Sequence, residues 1–574
     1  PFPGAIVAAY QLAGTSDNAR AITLRSQAFE AAQWIGDGQA ARAIAGMSAR
    51  VAAGSGDLSA RVRQRQDLSD QALAIDRLLI AAISQPNAAR NPQTEQAIRA
   101  QASGIANQIR ELDRSIAAQF PGYATLVTKA PIAIEDIQKQ LGPNEALLLF
   151  TTTSRFTFVW AVTRLDVRWH AAPVGAKELA ETIGILRCGV DQEAWMGATR
   201  ACAEKLGLGR PPAAGDPLPF DLDKAFGLYQ ALLEPVAKDI AGKELILVPS
   251  GPLATLPFQL LLTEKPAPGG SRQDLAKAPW LVKQFATTVL PSVSSLKALR
   301  QVAQKSRAQK PFIGFGNPLL NGDGQSWVLD RVKQARLFQN CAESPELRTS
   351  QLAQRGRRSV VALSGGTADI EQLKRLAPLP ETAIELCMVA SSFTPKGDVY
   401  LGDEASEARI KSLSEGGRLE QYRVLHFATH GALAGQVHGS IEPGLILTPP
   451  AAATQADDGY LSSSEVSALK LDADWVVLSA CNTAGGGDAS NSEAFSGLAR
   501  AFFYAGARAL LVSHWPVGSD AAVAITTGAT RAMASRSDID RAEALRRSIA
   551  ALIAKGGENA HPSVWAPFVL VGNP

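Results

Sequence analysis

The chain has 574 residues with 57 Lys plus Arg against 54 Asp plus Glu, a formal net charge of +3 that favours no anionic partner. Its first 125 residues carry 12 Arg against 10 acidic residues, so no basic arm points to direct nucleic-acid binding. No apolar run approaches the roughly 20 residues of a membrane-spanning helix, and the first 14 residues lack the charged start and long apolar core of a signal peptide. The length implies about three or four domain-sized units. The first residue is Pro1 and not Met, which predicts a processed chain or a further segment upstream, and it leaves cytoplasmic and exported or periplasmic locations equally open.

From Asn18 to Ala118 the sequence is rich in Ala, Arg, Gln and Leu at helical spacing, broken at Gly36-Asp37-Gly38, Gly54-Ser55-Gly56 and Ser84-Gln85-Pro86-Asn87. Four helices are predicted. Asp57 to Ala82 reads as a long amphipathic rod and Thr94 to Ala118 as its antiparallel mate, a scaffold that packs on the next domain or takes a regulatory partner. No 34-residue repeat is evident. Phe120-Pro121-Gly122-Tyr123 and Lys129-Ala130-Pro131 end this region, and the composition then changes from helical to α/β.

Ala146 to Thr151, Phe156 to Thr163 and Val167 to Ala171 read as a β-meander, followed by helices at Ala176 to Leu186 and Asp223 to Ala241. Glu244 to Val248 is a buried strand leading into the turn Pro249 to Leu253. Ser250 lacks a G-x-S-x-G elbow and reads as a turn residue. Phe312 to Phe315 is the next strand, Asn321 to Leu347 a variable surface loop, and the basic run Arg355 to Ser359 a solvated loop. Helices are predicted at Asp369 to Leu376, Pro380 to Ser391 and Glu404 to Leu413.

Arg423-Val424-Leu425-His426-Phe427-Ala428-Thr429-His430-Gly431 and Trp475-Val476-Val477-Leu478-Ser479-Ala480-Cys481-Asn482-Thr483 are short apolar runs that stop at small or polar residues. Strands buried on both faces end this way at the top of a parallel sheet. Between them Gly444 to Thr448 reads as a further strand, and Ser462 with Glu465 as the capping box of a helix to Leu469. A helix at Glu493 to Ala505, stopped by Gly506, precedes a strand at Arg508 to Ser513 capped by His514-Trp515-Pro516. Helices from Asp520 and from Glu543 to Ala554, then a strand around Phe568 to Val571, complete an α/β fold with a mainly parallel sheet covered by helices on both faces.

Ligands of open α/β sheets bind outside the carboxyl ends of the strands, where His430 and Cys481 fall. An imidazole on one strand end can activate a thiol on its neighbour, and acyl transfer needs N–H donors for the oxyanion, which Gly431 and Cys481 itself could supply. A competing use of His-x-x-x-His near a cysteine is a zinc site, with His426, His430, Cys481 and a recruited His514. Residues at a strand end suit this less well than two on one rigid face, so no metal and no cofactor is expected. His426 itself reads as a satisfied core residue in mid-strand, His170 as part of the meander, and His438 and His561 as loop residues. Five cysteines stand at 188, 202, 341, 387 and 481. Cys188 with Cys202 and Cys341 with Cys387 could pair, leaving Cys481 as the odd thiol, or all four could be buried thiols.

His426-Phe427-Ala428-Thr429-His430-Gly431, Leu478-Ser479-Ala480-Cys481-Asn482-Thr483, Ser513-His514-Trp515-Pro516 and His561-Pro562 through Trp565-Ala566-Pro567-Phe568 together resemble the CHAT family. These are caspase-like cysteine peptidases of the clan that includes separases, often found with helical repeats of the TPR type. The resemblance covers roughly 225 to 574. The interval of 51 residues between His430 and Cys481 also matches the separation of about 50 known for caspases. What the resemblance implies is a His430/Cys481 dyad hydrolysing peptide bonds of a protein substrate, and tandem caspase-like halves of which the first is non-catalytic. The organisation expected from this is a helical scaffold at 1–125, the non-catalytic half at 126–308 and the catalytic half at 309–574. Asp458, Glu442 and Asp520 are candidates for reading a basic residue beside the scissile bond, and His514 and Trp515 for lining the substrate cleft. The alternative is a silent or partner-gated interaction module on the same fold.

Overall fold

A computed structural model describes residues 2–35, 90–119, 131–212, 217–267, 272–301, 306–322, 324, 326–341, 361–364, 367–432, 437–438, 443–454, 456–479, 497–515, 517–535 and 539–573, with scattered positions between 61 and 83. The chain starts with a helix at Phe2–Ala13 that the sequence reading missed, then Asn18–Gln33, capped by the Asp17 carboxylate, which accepts from Arg20 N–H. The described positions of 61–83 are largely helical and pack on the 28-residue helix Pro92–Gln119. Arg61 bonds Ser115 at 2.6 Å and Arg65 bonds Asp113 at 2.7 Å, so one partner number rises as the other falls, as two antiparallel helices require.

The strands are β1 (Glu145–Thr152), β2 (Thr157–Thr163), β3 (Val167–Ala172), β4 (Glu244–Val248), β5 (Thr287–Val289), β6 (Lys310–Gly316), β7 (Val361–Ser364), β8 (Thr367–Ala368), β9 (Asp398–Leu401), β10 (Tyr422–Ala428), β11 (His430–Ala432), β12 (Val437–His438), β13 (Gly444–Ile446), β14 (Tyr460–Ser462), β15 (Trp475–Leu478), β16 (Ala509–Ser513) and β17 (Phe568–Gly572). Eleven of them form one sheet in the order β3-β2-β1-β4-β5-β17-β16-β15-β10-β6-β9. Three of its ten pairings are antiparallel: β1 with β2, β2 with β3, and β16 with β17. The rest are parallel, so the protein is α/β with a mainly parallel sheet. From β6 onward the chain steps out to β9, returns to β10 and proceeds through β15, β16 and β17. The winding reverses between β6 and β10, which is where open sheets leave a crevice at their carboxyl ends.

β1, β2, β4, β10, β15 and β16 are almost wholly buried, because helices cover both faces of the sheet. β17 joins the two parts of the sheet, pairing with β16 on one side and β5 on the other. Gln259 reinforces that seam, since its buried amide donates to the Ala566 and Phe568 carbonyls, both at 2.8 Å.

Two expectations are corrected, and two elements are placed that the sequence left open. The predicted helix from Asp223 to Ala241 is broken into Leu222–Leu232, a 3-10 turn at Glu234–Val236 and Ala237–Ile240, because Pro235 supplies no N–H to the ladder. The region read as a surface loop from Asn321 holds the helix Ser326–Leu337. The segment 192–205, for which no element is predicted, holds the short helices Gln192–Gly197 and Thr199–Lys205. The Gly444 strand is not in the main sheet; it is the centre of a three-stranded antiparallel sheet, β11-β13-β14. Cys188 and Cys202 form a disulfide, as do Cys341 and Cys387. The basic run at 355–359 lies outside the described residues.

Candidate functional site

β10 and β15 are parallel neighbours with Phe427 opposite Leu478. His430 follows Phe427 by three positions and Cys481 follows Leu478 by three, so in sequence the two stand equally far beyond that last pair. Cys481 and the glycine run 485–487 lie outside the described residues.

His430 is the first residue of β11, which leaves the line of β10 to pair with β13. Gly431 stands opposite Leu445 in that pairing. The small sheet is seated on its own apolar core of Leu320, Ala368, Leu373, Leu376, Ala432, Ile446 and Tyr460. The Thr429 hydroxyl donates to the Ile446 carbonyl, which fixes the backbone just before the histidine. The His430 ring is half-buried, and its Nε2 lies 2.8 Å from the Ala377 carbonyl oxygen. A carbonyl only accepts, so Nε2 carries the proton, and in the neutral ring the basic lone pair is on Nδ1.

Ala377 comes from the connection between the helices Ile370–Lys374 and Glu381–Ala390. The second helix packs close to the sheet because Gly314 and Gly316 of β6 have no side chains. A Cβ on either would stand 2.7 Å from Leu386. No sequence signal named Ala377, since any residue supplies a carbonyl. The one hint is its setting in Ala377-Pro378-Leu379-Pro380, where each proline fixes its own φ and restrains the residue before it.

Behind the strand ends lies a buried polar group of four residues. His426 Nε2 is 3.0 Å from Ser479 Oγ and 3.1 Å from Glu385 Oε1, which also accepts from the Thr526 hydroxyl at 2.9 Å. His426 was expected to be satisfied in the core; it is fully buried, but only Nε2 has partners, and Nδ1 has none among the described residues. The group ties β10 and the end of β15 to the helices Glu381–Ala390 and Ser519–Ser535.

Asp458 is committed to the backbone. Its Oδ1 accepts from Tyr460 N at 2.9 Å and its Oδ2 from Ala368 N at 2.6 Å. Burial pushes its carboxyl up, with the Glu465 charge adding to the shift and the two N–H groups opposing it. The turn at Asp458-Gly459 is gripped by Glu407, whose Oε2 accepts both N–H groups at 2.9 Å. Lys411 bonds Glu407 and also Glu465 Oε1 at 2.7 Å, and Glu465 closes the capping box with Ser462. Gly459 has φ +83°, a conformation that favours glycine.

His514 and Trp515, expected at the cleft, are interior residues, 3 % and 1 % exposed. The Trp515 indole donates to the Ser563 carbonyl of the helix Pro562–Trp565 at 3.0 Å, and the His514 backbone N–H donates to the Pro567 carbonyl at 3.0 Å. Burial drives the His514 imidazole down to about 3, helped by the Arg187 charge. Asp520 is partly buried, which raises its carboxyl, and the Glu381 charge adds to the shift; Glu442 lies outside the described residues. Ser250 Oγ accepts from Thr152 N at 3.1 Å. His170 Nε2 stands 3.2 Å from the Ala231 carbonyl, and His561 caps a short helix. Among the described residues no group of three His, Cys, Asp or Glu is arranged to hold a metal, and no helix is long and apolar enough to cross a membrane.

Residues 223–573 match the model of the CHAT domain. No curated protein is similar to the chain in sequence. Two solved structures of the Saccharomyces cerevisiae separase-securin complex, at 2.6 and 3.0 Å resolution, are similar to it with TM-scores of 0.38 and 9 % identity, covering 86 % and 76 % of this chain. The chain spans about a third of the length of those chains, 34 % and 30 %.

Proposed function

The chain belongs to the CHAT domain family, and from that membership we propose that it is a caspase-like cysteine endopeptidase working through His430 and Cys481. The observation that carries this reading is the bond from His430 Nε2 to the Ala377 carbonyl, which leaves Nδ1 as the base and holds the ring in one tautomer. In the proposed reaction Nδ1 takes the proton of the Cys481 thiol, and the thiolate attacks the scissile carbonyl carbon. The N–H groups of Gly431 and Cys481 receive the oxyanion. Collapse of the tetrahedral adduct breaks the C–N bond as Nδ1–H delivers its proton to the leaving amine. Water, deprotonated by the same nitrogen, then hydrolyses the thioester. The Ala377 carbonyl supports the imidazolium formed in each half-reaction, because it accepts from Nε2–H throughout.

In this reading residues 309–574 form the catalytic half, 126–308 the non-catalytic half, and the helices of 1–125 the scaffold where a regulatory partner would bind. The backbone bonds of Asp458 count against it as the residue that reads a basic side chain, so the preference beside the scissile bond is left to the probe.

The test is labelling of the native protein with acyloxymethyl ketones carrying Arg, Lys or Leu, followed by mass spectrometry. Adducts confined to Cys481 and lost in His430→Ala are expected, with Cys481→Ala as control. If neither these probes nor a broad thiol reagent modifies Cys481 in the native protein, the peptidase reading fails in favour of a protein-interaction module.

A further inference from the structure

We propose that Arg331 is a positioning residue for the dyad, acting through the loop that holds His430. Its catalytic meaning rests on the His430/Cys481 reading, but its structural claim stands apart from it. Arg331 is on the helix Ser326–Leu337, and its guanidinium straddles one backbone carbonyl. Nε and Nη2 donate to the Pro378 oxygen at 3.1 and 2.9 Å. Nη2 also donates to Glu381 Oε2 at 2.6 Å, in an ion pair whose side chains are 11 % and 2 % exposed.

Pro378 directly follows Ala377, the residue whose carbonyl accepts the His430 proton. Proline fixes φ at 378 and 380 and restrains ψ at 377 and 379, so few backbone torsions remain between the two carbonyls. A planar fork that fixes the Pro378 oxygen therefore also limits where the Ala377 oxygen can point. Lysine, a single point charge, cannot supply that fork.

A second attachment holds the same two helices together. The disulfide joins Cys341, just beyond the Ser326–Leu337 helix, to Cys387 in the Glu381–Ala390 helix. The helix carrying Arg331 is thus fixed to the one that starts beside Ala377, and the clamp acts from a rigid base. A buried ion pair is poor evidence of stabilisation, because desolvation offsets the attraction. Its geometry against a carbonyl next to the dyad gives it a use that stability alone does not.

The test compares Arg331→Lys with the double variant Arg331→Met/Glu381→Met. The double variant removes one charge of each sign, so the net charge beside His430 is unchanged and no unpaired charge is left buried. With six histidines in the chain, the His430 ring is assignable in protein carrying 15N-labelled histidine, using His430→Gln. Native protein is expected to give one neutral tautomer with the proton on Nε2. The double variant is expected to give a mixture, and Arg331→Lys an intermediate state. Per active site titrated with the ketone probe, kcat is expected to fall about 10- to 100-fold in the double variant, the size of effect a small misplacement produces, with KM unchanged. The acidic limb of the kcat/KM profile is expected to move to lower pH as the imidazolium loses its acceptor. A double variant that keeps the single tautomer and the native pH profile, while only its melting temperature changes, overturns the proposal. Absence of any labelling in the native protein would count against the peptidase reading alone, since the tautomer measurement needs no turnover.

Discussion

His514 should make the protein acid-sensitive in a way that can be isolated. It is buried with its imidazole driven down to about 3, against an ordinary value near 6.5. Below pH 6.5 the unfolded chain takes up a proton at this position that the folded chain refuses. Stability is therefore fully present above 6.5 and is lost as the pH falls from 6.5 toward 3. Between pH 7 and pH 5 this one group contributes a loss of about 2 kcal/mol, at about 1.4 kcal/mol per pH unit once the unfolded form is protonated. His514→Phe removes the titration and keeps a flat ring in the site. Its own packing cost is independent of pH. Urea unfolding of both proteins at pH 7, 6 and 5 gives the difference directly. The variant should improve relative to the native chain by about 2 kcal/mol across that range, although both lose stability from other groups. A difference that stays constant from pH 7 to pH 5 would refute the reasoning, and would mean that the imidazole is solvated or has an acceptor that tolerates its charge.

Gln259→Leu strands the Ala566 and Phe568 carbonyls in a buried seam and should lower stability by about 2–4 kcal/mol, read from the urea midpoint. Gly316→Ala drives a methyl to 2.7 Å from Leu386 and 2.9 Å from the Ala428 carbonyl, and should cost about 1–3 kcal/mol. Thermal unfolding checks this, and because the strain pushes on the helix beside Ala377, probe labelling of Cys481 should slow as well. Cys341→Ser/Cys387→Ser opens a link between residues 46 apart, for which loop-closure entropy gives a loss of about 4 kcal/mol. Denaturation with and without reductant should show a loss larger by that amount in the native chain than in the variant, where only Cys188–Cys202 is left to be reduced.

Most strands of the main sheet were legible because each is a short apolar run stopped by turn residues, whereas β5 and the strands of the two small sheets other than β13 were not read. β1, β2, β10, β15 and β16 all have this form, and burial on both faces produces it. The helix Ser326–Leu337 was not legible for the opposite reason. Its contact surface includes buried Val328 and Ala335 but also Arg331, so apolar spacing alone describes a solvated segment. β13 was read as a strand with no partner assigned to it. Alternation says nothing about partners, and β13 begins immediately after Pro443 with only three residues in its ladder. The strand-end rule put His430 just past β10, where it stands, yet the same rule misled at His514, because it does not reveal that Ser563 and Pro567 bond to the residues at that end. The Ala377 carbonyl could not be found from sequence, being a backbone atom 53 positions from the ring it holds.

The first part of the sheet bears on this site by contrast. β1 and β4 are parallel neighbours there, as β10 and β15 are in the second part. Their carboxyl ends carry Thr151-Thr152 and Pro249-Ser250, with neither an imidazole nor a thiol. Ser250 Oγ accepts the Thr152 N–H at 3.1 Å, so the two ends are fastened to each other. β10 is treated differently. After Ala428 the chain is diverted into β11, held through Thr429 and Ile446, and its histidine is bonded to a carbonyl from another connection. Closing two strand ends requires only one serine in a turn. Keeping a ring at a strand end in a single tautomer requires an acceptor from outside the strand, a helix close enough to deliver it and glycines in the neighbouring strand to let that helix approach, and these are found around His430.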